Sequence, residues 1–336
     1  MSALASVRGV VSKTKFLFFR EGNFLLMLIH DHFQNFKVYQ IPKAQLIIAD
    51  IPYNLGNNAY ASNPAWYKDG DNSNGESELA GKEFFDTDKD FRPAEFMHFC
   101  STMMKKEDKR ERTEADGNKR LKSDAPCMLV FCEFEQQFSL IELGKRYGLN
   151  RYINLVFRKN FSAQVLKANM KIVGNCEYGL LFYRDRLPKF NNNGKMIFNC
   201  IDWVRDDEEK LHPTQKPVAL LKKIIEIFTD EGDVVIDPVA GSGSSLVAAL
   251  ELNRKAYGFE IKKQFHRDAT KWINEVIQAK KDIAEFGFDK TRLEKNSPNT
   301  MDYLKIFYGF EKTDARGQKN KNLVFEISHN VGALAK

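Results

Sequence analysis

Short apolar runs rich in β-branched residues recur along the chain, and stretches with apolar positions every three or four residues fall between them. Leu46-Ile47-Ile48-Ala49, Cys127-Met128-Leu129-Val130-Phe131, Tyr152-Ile153-Asn154-Leu155-Val156-Phe157, Leu180-Leu181-Phe182-Tyr183, Val234-Val235-Ile236 and the segment 255–259 read as strands. Helical spacing marks Phe96, Met97, Phe99 and Met103 within 93–104 and also the segment 138–147. It returns at Val218, Leu221, Ile224, Ile225 and Phe228, in a helix beginning near Leu246, and at Phe265, Trp272, Ile273, Val276 and Ile277. Continuous hydrophobicity suits strands buried on both faces. Strands alternating with helices predict an α/β, doubly wound, mostly parallel sheet. The segment 54–83, rich in Asn, Gly, Ser and Asp, reads as a long loop, and from 287 onward periodicity is weak, as in a small appended module or a lid.

In open sheets of this class, ligands bind at the carboxyl ends of strands. Asp50-Ile51-Pro52-Tyr53 stands there after the run 46–49, and Asp237-Pro238-Val239-Ala240-Gly241-Ser242-Gly243-Ser244-Ser245 stands there after the run 234–236. A third element, His212-Pro213-Thr214-Gln215-Lys216-Pro217, lies just upstream of the glycine loop. The loop is not a dinucleotide fingerprint, because Gly-Ser-Gly-Ser-Ser-Leu lacks the third glycine, and it has no lysine for a phosphate-binding loop. Taken singly, the tetrapeptide fits an ordinary strand-ending turn, the glycine loop a tight strand-to-helix turn, and the proline-bracketed element a helix cap.

Together the three elements resemble the DNA amino-methyltransferases. In that family the catalytic tetrapeptide is Asp-Pro-Pro-Tyr, the cofactor loop is Asp-Pro-Phe-x-Gly-Ser-Gly-Thr-Thr, and the permuted (beta) arrangement places the catalytic half first. Order and spacing agree from about residue 26 to 277. The resemblance implies the S-adenosylmethionine-dependent methyltransferase fold in circularly permuted order. A methyltransferase domain would occupy 1–285, its catalytic half about 25–210 and its cofactor half about 211–285. Insertions fall at 54–92 and 105–124, and a C-terminal extension at 286–336.

By the same resemblance, Asp50 and the backbone carbonyl of Ile51 accept hydrogen bonds from the exocyclic amine of a base, and Tyr53 stacks on that base once it is flipped out. Two acceptors help localise on nitrogen a lone pair that the ring otherwise delocalises. Ile51 replaces the family's proline, but Pro52 still keeps Ile51 extended. Asp237, Val239, Gly241, Ser242, Gly243 and Ser244 would line the methionine part of S-adenosylmethionine, with Asp237 toward its ammonium group. Glu260 would accept from the ribose hydroxyls, Asp31 would lie near the adenine, and His212, Thr214 and Lys216 would clamp the carboxylate end. Val239, Ser244 and Ser245 stand where the family has Phe, Thr and Thr, and His30 stands where it has glycine.

Composition agrees with this picture and narrows the partners. At 336 residues, with 43% hydrophobic and 29% charged residues, the chain reads as soluble and globular. No apolar run is long enough to span a membrane, since the run 24–29 is closed by His30 and Asp31, and no leader pattern precedes it. A cytoplasmic protein with no membrane partner is expected. Five cysteines without a Cys-x-x-Cys pair argue for reduced thiols and against a zinc site. The net charge of +6 permits a polyanion, and double-stranded DNA is the partner the resemblance implies. The stretch 105–122 holds eight Lys or Arg against five Asp or Glu, which suits phosphate contacts and a solvated loop equally. Arg158, Lys159, Asn160, Arg184 and Arg186 are further candidates for the DNA backbone.

Asp at the head of the tetrapeptide favours adenine N6 over cytosine N4 by resemblance alone. A cofactor- and nucleic-acid-binding subunit with impaired catalysis is the alternative of a different class. A homodimer and a restriction-enzyme partner stay open.

Overall fold

The computed structural model describes residues 16–21, 24–53, 90–107, 111–113, 119–121, 124–160, 164–167, 172–203, 215–287 and 289–308. The loop expected at 54–83 and the tail beyond 308 lie outside the described residues. In chain order the elements begin with β1 (Phe16–Glu21), β2 (Phe24–Ile29), α1 (Phe36–Tyr39), β3 (Leu46–Asp50), α2 (Pro93–Met103), β4 (Glu111–Thr113) and β5 (Lys119–Leu121). They continue with β6 (Cys127–Cys132), α3 (Gln136–Arg146), β7 (Arg151–Lys159), β8 (Gln164–Lys167), β9 (Ile172–Gly174), β10 (Cys176–Tyr183) and β11 (Cys200–Trp203). The remainder are α4 (Val218–Phe228), β12 (Val234–Asp237), α5 (Ser244–Glu251), β13 (Lys255–Phe259), α6 (Lys263–Phe286), α7 (Lys290–Asn296) and α8 (Pro298–Tyr308).

Nine strands pair in the order β1-β2-β13-β12-β3-β6-β10-β7-β11. The chain divides into two compact units at β3, with Leu46–Ile47 in the first and Ile48–Asp50 in the second. The first unit takes the described residues of Met1–Ile47, Lys189–Asn191 and Asp206–Lys336. Here β2, β13, β12 and β3 run parallel, with Met27 opposite Tyr257, Ile236 opposite Tyr257, and Ile236 opposite Ile47. Residues 26–29, 46–49, 234–236 and 256–259 of these strands are buried, which is why their sequences are apolar without alternation. A strand not expected from the sequence, β1, closes the edge antiparallel to β2, with Phe16 opposite Ile29. The stripe Val218, Leu221, Ile224, Ile225 and Phe228 of α4 is buried, as is Trp272, Ile273, Val276 and Ile277 of α6, while Lys271 and Lys281 face water.

The described part of the C-terminal extension is helical and belongs to this first unit. Leu293, Met301, Tyr303 and Leu304 are buried, the Thr300 hydroxyl donates to Asp282 of α6, and Asp289 caps α7 by accepting from Thr291 N and Arg292 N.

The second unit, Ile48–Pro188 and Asn192–Arg205, holds β6, β10, β7 and β11. Strand β10 lies antiparallel between β6 and β7, with Leu180 opposite both Val130 and Asn154, and β11 runs parallel to β7. Strands β4 and β5 pair antiparallel within the charged stretch 105–122, and β8 and β9 form a second antiparallel pair. Cys100, Cys127 and Cys132 are buried free thiols, and Cys176 and Cys200 are exposed ones. No helix among the described residues is long and apolar enough to cross a membrane.

Gly258 in β13 sets the spacing between that strand and α5. A Cβ there would lie 2.6 Å from Leu246 Cδ1 and 3.2 Å from Ala240 Cβ, and Leu246 is fully buried and cannot swing away. Gly258→Ala is therefore expected to destabilise the protein by about 1–3 kcal/mol through overpacking. Equilibrium urea unfolding of the two proteins measures this, and an unchanged midpoint would show that the helix can lift off without cost.

Candidate active site

In the first unit, the polar groups gather at the strand ends. Asp237 closes β12 with its side chain buried; it accepts a hydrogen bond from Val239 N at 3.0 Å and another from the Ser245 hydroxyl. The carboxylate thus shapes the glycine loop it precedes. Gly241 and Gly243 have φ of 52° and 80°, the left-handed region that glycine enters without steric penalty. Gly243 also packs closely, because a Cβ there would lie 3.3 Å from Ala269 Cβ and Ile273 Cδ1 of α6. Ser242 and Ser244 are buried, and Val239 is half-buried.

Glu260, directly after β13, holds the same loop from the other side. Its Oε2 accepts from Gly241 N at 2.9 Å and its Oε1 from Lys262 N at 2.7 Å, while its own N–H donates to Ile29 O at 2.9 Å. Burial pushes its pKa up to about 7, against the two backbone N–H groups that pull it down. Asp31, just past β2, is well satisfied: Oδ1 accepts from His32 N and Asn35 Nδ2, and Oδ2 from the Tyr39 hydroxyl at 2.6 Å. Burial, then the bond to Asp31, drives the Tyr39 pKa above its ordinary value.

Asp31, Asp237, the glycines and Glu260 therefore share the first unit, with Glu260 bonded both to the end of β2 and to the loop after β12. Lys216 and Gln215 are buried just ahead of α4 in the same unit, whereas His212 and Thr214 lie outside the described residues.

In the second unit, Asp50 ends β3 and Ile51 is buried, its N–H donating to Phe131 O at 3.4 Å. The Pro52 carbonyl is held by Gln136 Nε2 at 2.8 Å. The Tyr53 hydroxyl donates to Glu177 Oε2 at 3.4 Å, and Glu177 forms an ion pair with Lys159, whose ammonium lies 4.8 Å from the centre of the Trp203 ring. Burial, reinforced by the Asp50 and Glu177 carboxylates, holds the Tyr53 pKa well above its ordinary value, so the ring stays neutral. The structure brings the four tetrapeptide residues together with a support that the sequence did not disclose. Glu177 precedes the run 180–183 that reads as a strand, and lies inside β10 only because that strand starts at Cys176.

The cations expected on the DNA backbone have protein partners. Lys159 is paired with Glu177, Arg158 with Asp202 at 2.7 Å, and Arg184 donates to Lys105 O and Ser101 O at the carboxyl end of α2, each at 2.9 Å. Unpaired carbonyls at a helix end draw a guanidinium strongly, which accounts for the difference at Arg184. Among the described residues, no group of three or more His, Cys, Asp or Glu is arranged to hold a metal.

The raised pKa of Glu260 has a signed consequence. Between about pH 4.5 and 7 the folded protein holds a proton that the unfolded chain has lost, so this residue's contribution to stability falls as pH rises through that window. Glu260→Gln removes the titration. Relative to that variant, the wild type is expected to lose up to about 3 kcal/mol between pH 4.5 and 8. Denaturant unfolding at the two pH values measures it, and parallel pH profiles would count against a buried acid.

Comparison with known proteins places this geometry in context. YubD of Escherichia coli (strain K12) is 33% identical over 159 residues, 47% of this chain and 66% of that protein. The DNA adenine methyltransferase YhdJ of the same strain is 29% identical over 259 residues, 73% of this chain and 82% of that one. The crystal structure of the M1.HpyAVI–SAM complex shares the fold with a TM-score of 0.52 at 20% identity, covering 74% of this chain and 99% of that chain. The family model described as DNA methylase matches residues 44–271, taking in both the tetrapeptide and the glycine loop, and the chain belongs to that DNA methylase family.

Proposed function

We propose that the chain transfers a methyl group from S-adenosylmethionine to the exocyclic N6 amine of adenine in a short motif of double-stranded DNA, acting on a base flipped out of the duplex. The observation that carries this reading is Asp50 at the carboxyl end of β3, followed by a tyrosine that is pinned by Glu177 and kept neutral. The name of the relative YhdJ, a DNA adenine methyltransferase, favours adenine.

The first unit fits the cofactor by its donor and acceptor chemistry. Each Glu260 oxygen takes one backbone N–H, leaving lone pairs for ribose hydroxyls, and a buried acid at a strand end is well suited to such donors. Gly241 and Gly243 let the backbone approach the ligand closely, with Ser242, Ser244 and Val239 beside them. Asp31 would serve the adenine side, and Lys216, with His212 and Thr214, the carboxylate end. The bound cofactor supplies a sulfonium methyl that is already activated, so the protein's task is to position and polarise the amine.

Asp50 accepts a hydrogen bond from one amine proton and the Ile51 carbonyl accepts from the other, while Tyr53 stacks on the purine. The Pro52 carbonyl is engaged by Gln136, which favours the Ile51 carbonyl as the second acceptor in this turn. The proton released on transfer passes first to the acceptor bonded to it, the Asp50 carboxylate.

Purified protein with methyl-labelled S-adenosylmethionine should label DNA, and nucleoside mass spectrometry of the product should give N6-methyladenine; N4-methylcytosine in its place would overturn the choice of base. Asp50→Ala should lower the rate about a hundredfold or more. Tyr53→Phe and Glu177→Gln should each lower kcat severalfold, and the double variant should lose no more than the worse single one, because both remove the same pin. Additive losses would mean that Glu177 acts apart from Tyr53.

A further inference from the structure

Beside the catalytic turn lies an aromatic surface that the reaction as described does not use. The segment after β6, Glu133-Phe134-Glu135-Gln136, leads into α3, and Phe134 and Phe138 are 51% and 64% exposed. They meet edge to face, with ring centres 5.8 Å apart, and Phe134 also meets Tyr178 of β10 at 5.5 Å. This is one connected cluster of three rings, two of them facing water. It is tied to the tetrapeptide directly: Gln136, two residues from each phenylalanine, donates to the Pro52 carbonyl at 2.8 Å and accepts from Glu133 N at 2.9 Å through its Oε1. All of these residues lie in the second unit.

Two large apolar rings kept in water beside a catalytic loop call for a ligand face, and the local charge narrows its chemistry. Glu133 and Glu135 flank Phe134 in sequence, and the Glu133 carboxylate accepts from Phe134 N at 2.9 Å. A phosphate would be repelled there. The flat face of a nucleobase is uncharged and stacks on phenylalanine regardless of sequence. We propose that Phe134 and Phe138 form a stacking platform for an unpaired nucleobase of the strand being methylated, next to the base held by Tyr53. This rests on the DNA methyltransferase reading above and adds a second contact that holds the opened strand.

The test uses the full chain and two single-stranded 12-mers with identical phosphates, one of oligo-dA and one in which every base is replaced by an abasic sugar. The wild type should bind the base-bearing strand more tightly. Phe134→Ala combined with Phe138→Ala should weaken that binding about fivefold or more and leave binding of the abasic strand unchanged. Phe134→Trp should restore most of the loss in the Phe138→Ala background. An equal loss on both strands, or no loss on either, overturns the platform. So does a change of oligomeric state in the double alanine variant with DNA binding intact, which would assign the rings to contact with a second copy. If the wild type binds neither strand and labels no DNA, the methyltransferase reading fails with it. If the wild type methylates DNA and the variant matches it on both oligomers, only the platform falls.

Discussion

A strand buried on both faces can carry polar chemistry only at its end, and an acid placed there must find donors in the turn that follows. The sheet applies this constraint repeatedly. The apolar strands β2, β3, β6, β12 and β13 are followed or closed by Asp31, Asp50, Glu133, Asp237 and Glu260. Asp31, Glu133, Asp237 and Glu260 each accept at least one backbone N–H from the turn beside them. Those bonds do more than satisfy a carboxylate. Asp237 and Glu260 grip the glycine loop at Val239 and Gly241, so the loop's shape follows from two side chains as well as from the freedom of its glycines.

These acids also bear on how a polyanion could be met. Negative charge at strand ends is poorly placed for phosphates, and Lys159, which reaches the tetrapeptide through Glu177, is spent on that carboxylate. Within each unit the strand ends thus suit amines, hydroxyls and ring faces rather than phosphate oxygens.

Much of this was legible in the sequence, for identifiable reasons. Leu46-Ile47-Ile48-Ala49 and Val234-Val235-Ile236 are strands in the structure because continuous β-branched runs have few other ways to be buried. The α4 and α6 stripes followed from helical spacing. Strand β1 escaped notice because Phe16-Leu17-Phe18-Phe19 is embedded among Ser, Lys and Arg, and its role is set by pairing with β2. The helices α7 and α8 escaped because the only apolar side chains they bury among their described residues are Leu293 in the one and Met301, Tyr303 and Leu304 in the other, too few to set up a helical period against neighbours that the sequence does not reveal. At the site, the residue types of the tetrapeptide and loop carried the chemistry, but Glu177 comes to Tyr53 only through the antiparallel register of β10 on β6. That is a long-range fact. The partners of Lys159 and Arg184 were hidden for the same reason, since a cation's partner across the fold is invisible in its neighbours along the chain.

One consequence follows from the grip of Gln136 on the Pro52 carbonyl. The same short segment carries Phe134 at one end and this amide at the other, at the start of α3. The exposed rings and the peptide next to Tyr53 therefore share one local support, so a substitution that displaces this segment disturbs both together.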